Sequence, residues 1–414
     1  MLKRKYTASH GFIKLQSIAA FLLLFTCCTT GKGQIISSSD YKTLTPSDIK
    51  VGAERMDQYL PALRGKKVAI VANQASLVKK TLLVDTLLSL GINITEIFAP
   101  EHGFKGDEDA GALIKDGKYK GKVPIISVYG DHNKPTPDDL KNIDVVVYDL
   151  QDVGVRFFTY VSTLHYVMEA CAENNKELIV LDRPNPNGYY VDGPVLEPAF
   201  KSIVGIDPIP IVYGMTPAEY ARMLNGEKWL KDGKQCNLTC VSVEGYTHKS
   251  FYDMPVKPSP NLPNMTSVYL YPSIALFEGT VISVGRGTDH AFQVIGAPGL
   301  QEASYTFTPQ SKPGATHPMY EGKVCNGYNL SDFGSILIKN YQKLYLFWLK
   351  GAYKNYPDKP SFFNSYFNQL AGTDKLQQQI KAGVSDDEIR KSWEPALSNF
   401  KKIRQRYLLY EDFK

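Results

Sequence analysis

What this sequence lacks narrows its function before any residue is singled out. No GxGxxG fingerprint follows the first β-rich run, which continues as VANQASLVKK, and neither GxxxxGKS nor GxxxxGKT occurs, so the two common phosphate-cradling loops are missing. GxSxG and HExxH are absent as well, which argues against a nucleophile-elbow hydrolase and a zinc protease. Charge of one sign is not in excess: 47 Lys and Arg are scattered among 42 Asp and Glu for a formal +5, with no basic stripe for nucleic acid. Cysteine is scarce. Cys171, Cys236, Cys240 and Cys325 have neither zinc-ligand spacing nor companion histidines, so no metal is expected. Cys236 and Cys240 could close a local disulfide in an oxidising compartment, but buried free thiols are the favoured reading.

Long apolar runs are also rare, and the one near the N-terminus is informative. Lys3, Arg4 and Lys5 precede the run Ile18 to Phe25, which ends at Thr26, Cys27 and Cys28. That order of basic, apolar and small residues describes an export signal over residues 1–34, too short for a membrane-spanning helix. The paired cysteines resemble a lipoprotein site, at which a lipidated N-terminal Cys would attach the protein to a membrane. The alternative is an ordinary cleaved signal and a soluble periplasmic protein.

From Lys66 onward the runs KKVAIVAN, NITEIFAP, KVPIISVYG, DVVVYDLQD, ELIVLDRPNPNG and IPIVYGMT alternate with helical segments. Continuous Val, Ile and Leu at this spacing predict buried parallel strands joined by helical crossovers. Leu82 to Leu90 gives a helical face that stops at Gly91, residues 163–174 a second helix, and Thr216-Pro217 with Glu219 the start of a third. The fold class is therefore α/β: a Rossmann-like, doubly wound, mostly parallel sheet over residues 45–257. Recurrent prolines in MPVKPSPNLPNM, residues 254–265, make it the crossover to a smaller α+β domain over residues 265–414. Within that domain YQKLYLFWLK is expected to form an aromatic helix, its stripe at residues 341–348 facing the core or a domain interface.

Polar residues collect at the carboxyl ends of the proposed strands. They are Asn73 and Gln74, Glu101 and His102, Tyr129, then Asp149, Gln151 and Asp152, then Asp182, Arg183 and Asn185, and finally Tyr213. Those ends share one edge of an open α/β sheet, where ligands bind, so residues distant in sequence are expected to converge on one cleft. Glu101 stands between Pro100, which fixes the backbone, and His102-Gly103, where glycine permits a tight turn. A partly desolvated carboxyl group there is placed for general-acid work, and His102 for proton transfer or orientation. Asp152 could activate water or stabilise positive charge at an anomeric carbon, and Arg156 could bind an anionic group. The competing readings are structural: Asp and Asn cap helices, and an Asp to Arg ion pair only holds a loop. Glu278, Arg286, Asp289 and His290 could close the cleft from the second domain, with loop capping favoured for Glu278 and Asp289.

Six motifs then carry a resemblance: PEHGFKG from Pro100, YDLQDVGVRFFTY from Tyr148, LDRPNPNG from Leu181, GMTPAEYARMLNGE from Gly214, PSPNLPNM from Pro258 and FEGTVISVGRGTD from Phe277. In order and without a large gap, they resemble the exo-acting N-acetylmuramidases of the NamZ type, formerly grouped as a domain of unknown function. The resemblance implies a Rossmann-like domain, a smaller C-terminal domain, and a cleft between them. It also implies release of N-acetylmuramic acid from the non-reducing end of peptidoglycan fragments, without cofactor, with Glu101 in the position of the family's catalytic glutamate. The lactyl carboxylate of muramic acid suits a guanidinium, for which Arg156, Arg183 and Arg286 are the candidates. The second catalytic group stays open among Asp149, Asp152, Asp182 and the substrate's own acetamide. A sugar-binding lipoprotein without enzymatic activity is the alternative function.

Overall fold

The continuous apolar runs form strands covered on both faces at the centre of a parallel sheet. The computed structural model describes residues 41–336 and 338–413, so the export and lipidation reading of residues 1–34 lies outside the described residues. In chain order the central strands are β1 (Lys67–Ala72), β2 (Asn93–Ala99), β3 (Gly117–Tyr119), β4 (Val123–Ser127), β5 (Val145–Asp149), β6 (Glu177–Leu181) and β7 (Asn237–Val241). Val68 through Ala72 of β1 are all fully buried, as the middle of a doubly covered sheet requires.

The sheet order is β7-β6-β5-β1-β2-β4-β3, parallel throughout except where the edge strand β3 runs against β4. Helix α1 (Leu83–Ser89) crosses from β1 to β2, α2 (Tyr160–Glu173) from β5 to β6, and α3 (Pro217–Gly226) from β6 to β7. The chain winds outward through β2 and β4, then returns to the other side of β1. The carboxyl ends of β1 and β5 therefore flank the topological switch point of a doubly wound α/β sheet. At the start of α3, Thr216 and Glu219 exchange side-chain to backbone hydrogen bonds with Pro217 at the first position, the cap expected from GMTPAE.

Beyond the proline-rich segment, Asn264 accepts from Ser267 N at 3.0 Å and opens α4 (Met265–Ile274). An antiparallel sheet follows, formed by β8 (Val294–Ala297), β9 (Tyr305–Phe307) and β10 (Cys325–Asn329) in the order β8-β10-β9. After it come the short helix α5 (Tyr366–Ala371) and the long amphipathic α6 (Asp386–Gln405). The last residues return to the central sheet, where the Tyr410 hydroxyl donates to Asp182 at 2.5 Å and accepts from Val243 N at 2.8 Å.

Three details differ from the sequence reading. IPIVYGMT does not enter the central sheet: Pro210–Val212 pairs antiparallel with Asp192–Val195 in a two-stranded ribbon, a setting that tolerates Pro194 and Pro210 without their N–H groups. Its place is taken by β7, an edge strand whose half-exposed sequence NLTCV carries too weak an apolar signal to stand out. The aromatic helix breaks at residues 342–346 and resumes as Phe347–Asn355, because Leu344 and Leu346 turn inward to the core. Cys171, Cys236, Cys240 and Cys325 are free thiols, and among the described residues no helix is long and apolar enough to cross a membrane.

Candidate active site

The switch-point crevice is occupied by the chain's own polar groups. Asp149, at the end of β5, accepts from Arg183 Nε at 2.6 Å and Nη2 at 2.9 Å, and both side chains are buried. Burial works against the Arg183 charge, but the Asp149 carboxylate outweighs it and raises the guanidinium above its ordinary value. Asn73 closes the turn after β1 by accepting from Ala75 N, and donates to the Tyr160 hydroxyl at 2.8 Å.

An open cavity of about 240 Å³ lies to one side of this network. One wall is the turn after β2. His102 and Gly103 both adopt left-handed backbone, with φ of 69° and 75°, and this reverses the chain immediately beyond Glu101. The Glu101 carboxylate accepts from the Thr159 hydroxyl at 2.6 Å and from Gly111 N at 3.0 Å. The Tyr129 phenol, after β4, is raised above its ordinary value by burial and then by the nearby Glu101 charge. His102 donates from Nδ1 to the Glu108 carbonyl at 2.8 Å, which leaves Nε2 to accept from the Ser259 hydroxyl at 3.1 Å. Burial lowers the imidazole's pKa, so His102 is neutral near pH 7.

The facing wall comes from the C-terminal half. Glu278 Oε1 accepts from Arg286 Nε at 2.9 Å and Nη2 at 2.7 Å, and each of the two side chains is 24% exposed. The Arg286 guanidinium also lies 5.0 Å from the Phe292 ring centroid, which fixes its plane. Phe157, Phe158, Tyr271 and Tyr366 complete an aromatic lining.

Of the residues proposed from sequence, Glu101, His102, Tyr129 and Arg286 line this cavity, together with Glu278, for which a capping role was favoured. The others do not line it. Asp152 accepts from Tyr213 at 2.6 Å and Gly154 N at 2.5 Å, with burial pushing it up to about 6. Burial pushes Asp182 up to about 7, against hydrogen bonds from Tyr410, Ala218 and Thr216. Arg156 donates to the carbonyls of Pro194, Ile209 and Leu370, with no carboxylate partner among the described residues, and burial lowers its pKa. Asn185 bonds Met215 O and Asn187 N, while Asp289 and His290 are exposed and Asp289 pairs with Lys312 at 2.5 Å. Thr159, Ser259, Tyr271 and Tyr366 were missed. Thr159 lies within the YDLQDVGVRFFTY motif and Ser259 within PSPNLPNM, so those two had a signal. Among the described residues no group of three His, Cys, Asp or Glu could hold a metal ion.

A small pocket holding two glutamates and six phenyl or phenol rings, set beside a doubly wound sheet with no nucleotide loop, is the arrangement of a glycoside hydrolase. The chain belongs to the exo-beta-N-acetylmuramidase NamZ family: the model of the family's N-terminal part matches residues 68–266 and that of its C-terminal part residues 269–410. It is 37% identical over 406 residues to the peptidoglycan beta-N-acetylmuramidase NamZ of Bacillus subtilis (strain 168), covering 90% of this chain and 95% of that protein. Two solved DUF1343 family proteins of Bacteroides fragilis NCTC 9343 share the fold, at TM-scores of 0.81 and 0.74 and identities of 44% and 29%. Each match covers 88% of this chain and 99% of the other.

Proposed function

We infer that this protein is an exo-acting glycoside hydrolase that releases N-acetylmuramic acid from the non-reducing end of peptidoglycan fragments. The observation that carries the reading is the pair Glu101 and Glu278 in one small pocket with Arg286 between solvent and core. The two carboxyl groups meet different partners. Glu101 accepts its hydrogen bonds from neutral groups, and the Thr159 hydroxyl can donate to its carboxylate or accept from its acid form, as a proton donor to the leaving oxygen requires. Glu278 is paired with a guanidinium and serves as the anion that balances positive charge developing at the anomeric carbon. With Nε and Nη2 engaged, Arg286 Nη1 has no hydrogen-bond acceptor among the described residues and is available for the lactyl carboxylate. The second catalytic group is thus Glu278 rather than Asp149, Asp152 or Asp182.

Incubation of the purified protein with a disaccharide ending in N-acetylmuramic acid should release the free sugar, and Glu101→Gln should stop release while leaving the melting transition in place. Binding without release by the wild-type protein would instead favour a sugar-binding lipoprotein. The order of Lys3-Arg4-Lys5, the apolar run and Cys27-Cys28 supports action outside the cytoplasm, either free in the periplasm or anchored by a lipidated cysteine. Fractionation of cells expressing the wild type and a double Cys27→Ser, Cys28→Ser variant separates these. Release of the variant alone from membranes supports the anchor, and a cytoplasmic wild type would rule out export.

A further inference from the structure

Most of the pocket lining is buried, and its exposed rim is formed by Ala110, Gly111 and Tyr366. Tyr366 is the exposed aromatic ring of that rim, at 37% of its surface. The same residue lines the pocket beside Glu101 and Glu278, and burial first, then the charges of those two glutamates, raise its phenol above its ordinary value. Tyr366 therefore belongs both to the pocket lining and to its exposed rim.

The ring is also held in register with Glu278. Val281 N donates to Phe362 O at 2.9 Å, Asn364 N to Gly279 O at 3.0 Å, and Asn364 Oδ1 accepts from Tyr366 N at 2.9 Å. Gly279 permits this close docking, because a Cβ there would stand 2.3 Å from the Phe367 Cα. The start of α5 is therefore latched, backbone to backbone, onto the segment that carries Glu278.

This placement has a consequence for an exo-acting hydrolase. On the exo-acting reading the pocket takes the terminal sugar, so the bond to be cut lies near its exposed rim and the next sugar stands beyond it. An amphipathic ring at that point offers an apolar face to a sugar's C–H groups at little entropic cost. We propose that Tyr366 is the platform for the leaving-group sugar, a binding site for the second hexosamine that adjoins the catalytic pocket and sets preference for saccharide leaving groups. The proposal rests on the hydrolase reading above.

Two substrates separate the effects: the disaccharide of N-acetylmuramic acid and N-acetylglucosamine, and N-acetylmuramyl β-fluoride, whose leaving group has no ring. In Tyr366→Ala the ratio of kcat/KM for the disaccharide to that for the fluoride should fall about tenfold, mainly through KM, while Tyr366→Phe should keep the ratio within about twofold of wild type. An unchanged ratio in Tyr366→Ala overturns the platform. So does a Tyr366→Phe variant as impaired as Tyr366→Ala, which would assign the role to the hydroxyl. If the wild type cleaves neither substrate, the hydrolase reading fails, and calorimetry then judges the platform. Weaker binding of the disaccharide but not of free N-acetylmuramic acid by Tyr366→Ala would uphold it, and equal losses would overturn it.

Discussion

The Thr159 hydroxyl lies 2.6 Å from Glu101 Oε2, joining the turn after β2 to the N-terminal entry of α2. The Gly111 amide is a second donor to this carboxyl group, and the two bonds together orient it. Thr159→Val keeps the shape and removes the donor. It should lower kcat about tenfold or more with KM little changed, because a hydrogen bond to a charged group is worth about 1.5–3 kcal/mol. Steady-state kinetics on the muramyl disaccharide reads this directly, and a loss confined to KM would place Thr159 in binding instead.

Arg286 pairs with Glu278, and on the proposed reading it also receives the lactyl carboxylate of the substrate. Lysine keeps the charge but not the planar fork. Arg286→Lys should therefore lower kcat/KM roughly a hundredfold and, more tellingly, narrow the discrimination between disaccharides ending in N-acetylmuramic acid and in N-acetylglucosamine. Retained discrimination would remove Arg286 from lactyl recognition.

The legibility of this chain in its sequence divides along physical lines. Runs such as KVAIVA and VVVYD mark β1 and β5 because a strand covered on both faces has to be apolar throughout. The edge strand NLTCV lacks that constraint and does not announce itself. Polar residues at strand ends were visible too, but sequence cannot tell a group aimed at a ligand from one consumed by its neighbours. Asp149 and Arg183 satisfy each other, whereas Glu101 and His102, on a turn of left-handed residues, face the cavity. Tyr366, in SYFNQL, had no local signal, since its role depends on docking of residues 362–367 against Glu278.

Asp149 illustrates the difference experimentally. Its bidentate bond to Arg183 is buried, so removing either partner strands a charge inside the sheet edge. Arg183→Met or Asp149→Asn should destabilise the protein by about 3–5 kcal/mol. The double variant should cost less than the sum, which denaturant midpoints would show. At a temperature where Asp149→Asn remains folded, turnover per folded molecule should stay near wild type, and a specific loss of kcat would return Asp149 to the catalytic group.

His165, on α2, gives the fold a pH dependence separate from the active site. Burial opposes its charge, but hydrogen bonds to Asp207 at 2.9 Å and to Glu169 outweigh this and push it up to about 9 from 6.5. Tyr220 also donates to Asp207, and Lys134 pairs with Glu169, so the cluster is closed by neighbours on α3 and on the loop after β4. Because the folded value is raised, the stabilisation is fully present below about pH 6.5 and is lost as pH climbs through about 9. That window spans roughly 3 kcal/mol, taking about 1.4 kcal/mol per pH unit. His165→Gln should be less stable than wild type at pH 6, with the gap shrinking by most of that amount at pH 9.5. Equal gaps at the two pH values, measured by urea unfolding, would show that the imidazole is not held protonated by Asp207 and Glu169.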